Sequence, residues 1–214
     1  MISDRSIFVY LVTFKILFGT TFAQSSADQT LIYDPKLEIT IRSANGQAVV
    51  LKGPNIILDD SGEPYYMWEI LANLKSPDGR FSAIQYSGSR PKYRDGVVYI
   101  VNLYGKIIEL RNSLVNKIIW TEDSKYLIGI GNGTLRVWNT NGTRRQSTPG
   151  QIVGYDYSNE RVCLDVVNFR EDDKLTNGVR LTLPIYSRDV YAIPTLRKIS
   201  SLRTTGGSHC EFQP

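Results

Sequence analysis

Apolar and polar residues alternate along several short segments of this chain. Short apolar-rich segments lie at residues 37–41, 47–51, 96–102, 106–110 and 134–138, and strict alternation is clearest in residues 37–41 (LEITI). Turn-forming residues separate these segments, such as Asn45-Gly46 between the first two and Gly105 between the next two. A period of two places successive side chains on opposite faces of a strand, so one face can pack on a neighbouring sheet. The pattern therefore predicts a series of antiparallel hairpins.

Two segments repeat the same order of features. Residues 74–84 (LKSPDGRFSAI) and 119–129 (IWTEDSKYLIG) each combine an apolar approach, a tight Asp-containing turn and a strand. Asp78 and Asp123 are 45 residues apart (123 − 78), which is the length of one blade of a β-propeller or WD40-like array. A hairpin with a Gly turn follows each strand, which completes the four-stranded order of a blade.

The length of the chain limits the number of blades. At roughly 40–45 residues per blade, there is room for about three to four. Residues 30–51 resemble the outer half of one further blade, and residues 152–191 contain another with irregular spacing. We therefore predict an all-β fold, a partial or small β-propeller of four-stranded blades over residues 24–199. Residues 200–214, which include Gly206-Gly207, are predicted to form a disordered tail.

Composition and charge agree with this class. Apolar residues make up 42% of the 214 residues, and 13 Tyr, 7 Phe and 3 Trp favour strands. The formal charge of +4 falls to about +3 if residues 1–23 are removed, because Asp4, Arg5 and Lys15 leave together (4 − 2 + 1). The chain has no long basic run, so the sequence does not predict binding to nucleic acid.

The N-terminal residues are typical of a secretory signal. An apolar run begins at Ile7, and small residues at Thr21 and Ala23 fit a signal-peptidase site before Gln24. We predict a signal peptide over residues 1–23 and a protein that is secreted or on the cell surface, or periplasmic in a bacterium. Lys15 interrupts the apolar run, which leaves an uncleaved membrane anchor as the alternative.

Two cysteines and two glycosylation sequons lie in the predicted mature chain. Cys163 and Cys210 could form a disulfide that closes a 47-residue loop (210 − 163), or remain as one buried thiol and one thiol in the tail. Asn132 and Asn141 each begin an Asn-Gly-Thr sequon, which is an acceptor for a glycan in a eukaryotic cell. Asn-Gly is also a preferred hairpin turn.

The order of features from residue 37 to residue 138 resembles the N-terminal propeller of the dipeptidyl peptidase IV family. The resemblance is densest in residues 76–86 (SPDGRFSAIQY), and it continues through a basic and aromatic loop, residues 89–94, to the turn at Trp120. In that family an aromatic-Arg pair in this loop helps to hold the substrate peptide. The resemblance therefore implies that Tyr93 and Arg94 bind a substrate or peptide.

The chain also departs from that family. These 214 residues contain no Gly-x-Ser-x-Gly sequence and are not expected to include a hydrolase domain. The single histidine, His209, lies in the predicted tail. A serine without a histidine base is not activated as a nucleophile, so we do not predict an enzyme. The acidic clusters at residues 59–63 and 171–173 match no calcium loop, and no metal or other cofactor is predicted.

The sequence therefore predicts a non-catalytic propeller module that binds a peptide or protein, either alone or as a fragment of a serine peptidase. The alternative is a periplasmic scaffold of the TolB type, since many propellers share the Ser-Pro-Asp-Gly turn. Self-association is also expected if the ring of blades does not close, because terminal blades would expose apolar faces.

Overall fold

The computed structural model describes residues 31–32, 34–42, 46, 48–57, 61–64, 67–90, 93–111, 113–176, 179–205 and 210. Within this part the chain forms strands and one short 3₁₀ helix, Pro35–Leu37. The strands are β1 (Leu31–Ile32), β2 (Ile39–Arg42), β3 (Ala48–Leu51), β4 (Ile56–Ile57), β5 (Met67–Lys75), β6 (Phe81–Arg90), β7 (Tyr93–Asn102), β8 (Ile107–Leu110), β9 (Lys117–Trp120), β10 (Tyr126–Gly131), β11 (Thr134–Asn139), β12 (Arg144–Ser147), β13 (Gln151–Tyr157), β14 (Arg161–Thr176), β15 (Val179–Ala192) and β16 (Lys198–Thr204). Among the described residues, no helix is long and apolar enough to span a membrane.

Three four-stranded antiparallel sheets follow one another along the chain. The first sheet is β5–β8, the second is β9–β12 and the third is β13–β16, and in each the strands are paired in sequence order. Strands β2 and β3 form an N-terminal hairpin, and β1 pairs with β4. Consecutive four-stranded meanders are the blades of a propeller. The prediction of an all-β partial propeller with three to four blades is therefore confirmed.

The blades stack face to face through three apolar layers. The N-terminal hairpin packs on the first sheet around Tyr86, and the first sheet packs on the second around Trp138. The second and third sheets enclose a layer that includes Leu135 and Leu164, both fully buried. Because a blade has two apolar faces and no core of its own, each sheet depends on its neighbours for stability.

Trp138 fits closely between the first and second sheets. Its ring lies against Gly129 on β10, where an added Cβ would come within 2.6 Å of the ring. On the same layer, Trp120 donates from Nε1 to the backbone oxygen of Leu74 at 3.3 Å. The predicted blade core also includes Leu127, Ile128 and Val137, which are buried, and Tyr126, which is partly buried.

The Asp-containing turns of the first and second sheets have the same hydrogen bonds. Asp78 Oδ1 accepts from Ser76 Oγ at 2.7 Å and from the backbone N–H of Arg80 at 3.0 Å. Forty-five residues later, Asp123 Oδ1 accepts from Thr121 Oγ1 at 2.7 Å and from the Lys125 N–H at 3.2 Å. The repeat seen in the sequence is therefore a repeat of turn geometry.

Each of these turns is also linked to the next sheet. Ser124 Oγ, in the second turn, accepts from the backbone N–H of Asp78 at 2.9 Å. Asn159, in the first turn of the third sheet, accepts from the backbone N–H of Asp123 at 3.3 Å. These two bonds join the three sheets in register at one end.

The prediction of a disordered tail from residue 200 is wrong for the part that the structure describes. Strand β16 runs to Thr204 and pairs with β15 from Tyr186 to Tyr191. Cys210 is buried and forms a disulfide with Cys163 on β14. The small and polar residues in this region suggested a tail, but β15 supplies a pairing edge that sequence patterns do not report.

Candidate functional site

The predicted binding pair, Tyr93 and Arg94, lies where the first sheet is longest. Strand β6 continues to Arg90 and β7 begins at Tyr93, so the region predicted as an extended loop is a hairpin with a two-residue connection. The backbone pairs Arg94 with Ser89, and Ser89 with Met67 on β5. Continued pairing satisfies the backbone N–H and C=O groups that a loop would leave to water. The side chains of Tyr93 and Arg94 lie outside the described residues.

We refer to the paired segments 67–71, 86–90 and 93–96 as the extended edge. Strand β5 is an edge strand of the first sheet, and its first half carries exposed apolar side chains. Met67 is 73% exposed, Ile70 is 37% exposed and Leu71 is 45% exposed. A register shift between Ile70 and Ala72 adds one residue to β5, which is why two successive apolar residues are both exposed.

Trp68 has a different environment from its neighbours. Its ring lies over Gly88 on β6, where an added Cβ would be 3.0 Å from three ring atoms. Trp68 is partly buried against the apolar layer between the N-terminal hairpin and the first sheet. The first two residues of β5 therefore differ, because the Trp68 indole is packed whereas the Met67 side chain is exposed.

The base of the extended edge, which we define as Gln85, Tyr86 and Gly96, is held by hydrogen bonds to neighbouring segments. Tyr86 donates from its hydroxyl to the backbone oxygen of Leu37 at 2.8 Å, and its ring meets Tyr99 edge-on. Gln85, which is buried, donates from Nε2 to the backbone oxygen of Val115 at 2.6 Å. Gly96 accepts at its backbone oxygen from the Ser113 N–H at 2.7 Å. The loop between the first and second sheets is thus fixed against β6 and β7.

Tyr99, whose ring contacts that of Tyr86, is not suited to proton transfer. Burial, assisted by the Glu109 carboxylate, raises the pKa of Tyr99 to about 12. A general acid or base works best with a pKa near the operating pH. Tyr99 is therefore a packing residue in this arrangement.

A shallow cleft lies between the N-terminal hairpin and the other end of the first sheet. Arg42, Lys75 and Arg80 line it together with Phe81 and Asn102. Its volume is about 10 Å³, which is the space of roughly one water molecule. Small-molecule sites typically enclose about 300–1,000 Å³. The cleft is therefore too small for a small-molecule substrate.

The other predicted residues are in separate places. Cys163 and Cys210 are joined in a disulfide within the third sheet, with 5.8 Å between their Cα atoms. Asn132 and Asn141 are in turns at opposite ends of β11. His209 and residues 1–30 lie outside the described residues. Within the described part of the chain, no group of three His, Cys, Asp or Glu residues could hold a metal ion.

Sequence reasoning missed two features that the structure brings forward. The first feature is the group of exposed apolar residues on β5. It could have been predicted, because Ile70 and Leu71 are adjacent apolar residues that interrupt the alternation and so indicate a bulge. The second feature is Asp165, which is 8% exposed and accepts from the backbone N–H of Cys210 at 2.8 Å and from Arg188 Nε at 3.3 Å. Nothing in the local sequence identifies that carboxylate.

No protein-family model and no curated protein matches the chain. Among solved structures, the chain is similar to the β-propeller domain of the Trilobed protease from Pyrococcus furiosus, with a TM-score of 0.40 and 12% sequence identity. The match covers 76% of this chain and 52% of that one, so the chain spans about half the length of that structure. The description of the fold as a partial propeller rests on the strand order itself.

Proposed function

We propose that this protein is a non-catalytic binding module that recognises an extended segment of a peptide or protein at the extended edge of its first sheet. The observation that carries the proposal is the exposure of Met67, Ile70 and Leu71 on an edge strand whose base is firmly held. Exposed apolar side chains that are grouped on a rigid element are typical of interaction sites.

The chemistry of recognition follows from the strand arrangement. An extended peptide can add to an edge strand through main-chain hydrogen bonds, while side chains on alternate positions give specificity. Met67 offers a flexible, polarisable contact that adapts to different apolar partners. Arg94 lies on β7, in the same cross-strand row as Ser89 on β6 and Met67 on β5. Its guanidinium group has planar donors that suit a carbonyl or carboxylate. The resemblance to dipeptidyl peptidase IV propellers implies a peptide-binding role for Tyr93 and Arg94.

Selection from a displayed library of random peptides tests this proposal. The affinities of the retained peptides for the wild-type protein, Met67→Asp and Arg94→Ala are then measured by fluorescence anisotropy. We expect each variant to weaken binding by at least tenfold. Tyr104→Asp is the matched control, because Tyr104 is also highly exposed but lies in the β7–β8 turn at the other end of the sheet. Equal binding to all four proteins would contradict the assignment of the site.

Export of the protein is part of the proposal. The expected mature chain begins at Gln24, after the apolar segment that starts at Ile7. Intact-mass measurement of the protein collected from the medium or the periplasm tests this expectation. A mass that retains residues 7–18 would instead support the membrane-anchored alternative.

A second candidate function is that of an assembly scaffold. Strand alternation places Phe169 and Leu202 on the outer face of the third sheet, together with Cys163 and Asp165, and both apolar side chains are exposed. On the first and second sheets the corresponding faces are covered by a neighbouring sheet. This contrast favours self-association through the third sheet. Sedimentation velocity over a hundredfold range of concentration, with Leu202→Asp as the comparison, distinguishes an assembly from a monomer.

A further inference from the structure

The two glycosylation sequons occupy turns at opposite ends of β11. Asn132 is in the tight turn between β10 and β11, and Asn141 is in the turn between β11 and β12. Both asparagines are exposed, so exposure alone does not separate them. Their hydrogen bonds and their surroundings differ, and these differences decide which side chain has room for a glycan.

The Asn141 turn presents its amide nitrogen to solvent. Asn141 Oδ1 accepts from the backbone N–H of Thr143 at 3.1 Å and from Thr143 Oγ1 at 2.9 Å. Both bonds use the oxygen, so Nδ2 has no partner among the described residues. Thr143 is itself exposed. The backbone of the turn is closed separately, because Asn139 Oδ1 accepts from the N–H groups of Asn141 and Thr143.

The first sheet contains the same turn with a large side chain at the equivalent position. Asn102 Oδ1 accepts from the N–H groups of Tyr104 and Lys106, as Asn139 does from Asn141 and Thr143. Tyr104 therefore corresponds to Asn141, and its side chain is 88% exposed. A bulky group at this position of the turn points away from the blade. The turn geometry can thus accommodate a sugar on Asn141 without rearrangement.

The Asn132 turn contacts the connection between the first and second sheets. Asn132 Nδ2 donates to Asn116 Oδ1 at 3.0 Å, so the atom that would carry the sugar is already in contact with another loop. Gly131, the residue before Asn132, is packed against the same loop, because an added Cβ would overlap the backbone and side chain of Asn116. Gly142, the residue after Asn141, is also closely packed, but an added Cβ there would meet only the side chains of Ile108 and Leu110. A sugar on Asn132 Nδ2 would therefore crowd the loop that carries Asn116.

We infer that Asn141, and not Asn132, is the sequon of this chain that accepts an N-linked glycan in the secretory route of a eukaryotic cell. In the transfer step a bond forms between Asn141 Nδ2 and C1 of the first sugar of a lipid-linked diphosphate oligosaccharide. The bond from C1 to the diphosphate breaks, the lipid diphosphate leaves, and the amide nitrogen loses one proton. The β6–β7 connection at the extended edge corresponds to the β10–β11 turn that contains Asn132. Asn141 is in the turn at the other end of β11, so its glycan would lie at the opposite end of the blades from the extended edge.

This inference rests on the proposed export of the chain, and the experiment keeps the two apart. Residues 24–214 are expressed in a secreting eukaryotic cell behind a leader that the cell is known to cleave, so that entry into the secretory route does not depend on residues 1–23. The secreted protein is analysed by mass spectrometry of intact glycopeptides, before and after treatment with peptide N-glycosidase F. Variants Asn141→Gln, Thr143→Ala and Asn132→Gln are compared with the wild type.

We expect a glycopeptide that contains Asn141 and an unmodified peptide that contains Asn132. Asn141→Gln and Thr143→Ala should lose the glycosidase-sensitive mass, whereas Asn132→Gln should keep it. A secreted wild-type protein with no glycan, or with its glycan on Asn132, would overturn the inference. Retention of the full glycan mass by Asn141→Gln would do the same. A failure of export with the native residues 1–23 concerns only the signal peptide and leaves these outcomes unchanged.

Discussion

The disulfide between Cys163 and Cys210 gives the most direct test of how the end of the chain is held. The substitution Cys210→Ser removes the cross-link and leaves Cys163 as a buried thiol, which behaves as a small apolar side chain. The sequence separation is 47 residues. In the chain-entropy model, a loop of that size lowers the entropy of the unfolded chain by an amount worth about 4 kcal/mol at 25 °C.

A smaller contribution comes from Asp165, because the Cys210 N–H donates to its carboxylate at 2.8 Å. Release of Cys210 would return this carboxylate to water or leave it with Arg188 alone, at a cost of about 1 kcal/mol. We therefore expect Cys210→Ser to reduce the free energy of unfolding by about 3–5 kcal/mol. That is a large fraction of the stability of a typical domain, which is about 5–15 kcal/mol.

Urea denaturation followed by tryptophan fluorescence measures this difference. Wild-type protein that is fully reduced with dithiothreitol should match Cys210→Ser, and Asp165→Asn with the disulfide intact should lose only about 1 kcal/mol. A loss below 1 kcal/mol in Cys210→Ser, with unchanged dependence on urea, would refute the reasoning. It would mean that residues beyond β16 add nothing to the third sheet, as in a disordered tail.

Four further predictions concern the turns, the core and the chemistry. Ser124→Ala should cost about 1–2 kcal/mol in thermal denaturation, because it removes the acceptor for the Asp78 N–H, whereas the exposed control Ser200→Ala should change little. Hydrogen bonds from the Arg80 N–H and then from Ser76 hold the pKa of Asp78 well below its usual range. The ionised Asp78 carboxylate therefore stabilises the fold fully above about pH 4, and this stabilisation is lost as the pH falls further. Asp78→Asn should reduce the dependence of the free energy of unfolding on pH in that range. Gly129→Ala should cost about 1–3 kcal/mol in urea, because the new Cβ would overlap the Trp138 ring, and an unchanged midpoint would contradict that packing. The purified chain should not release dipeptides from an Xaa-Pro chromogenic substrate, and turnover abolished by a substitution within this chain would overturn the prediction that it is not an enzyme.

Most of what could be predicted from the amino-acid sequence is local. The Asp turns at Asp78 and Asp123 are closed by neighbours within three residues, so their 45-residue repeat could be recognised without any tertiary information. Short apolar-rich segments likewise identified β7, β8 and β11, because a run of apolar residues between turn signals indicates a strand that will be buried. From these two signals the blade architecture could be predicted.

The tertiary structure decided the features that depend on pairing between distant segments. β16 is a strand because β15 offers it an edge, and Cys210 is buried because Cys163 and Asp165 meet it 45 to 47 residues away in sequence. The same reason applies to the extended edge. There β6 and β7 stay paired through residues 89–94, which the sequence predicts to be a loop, and β5 pairs with β6 as far as Ser89. Strand formation depends on partners as well as on intrinsic preference, and a sequence does not say which partner will be adjacent.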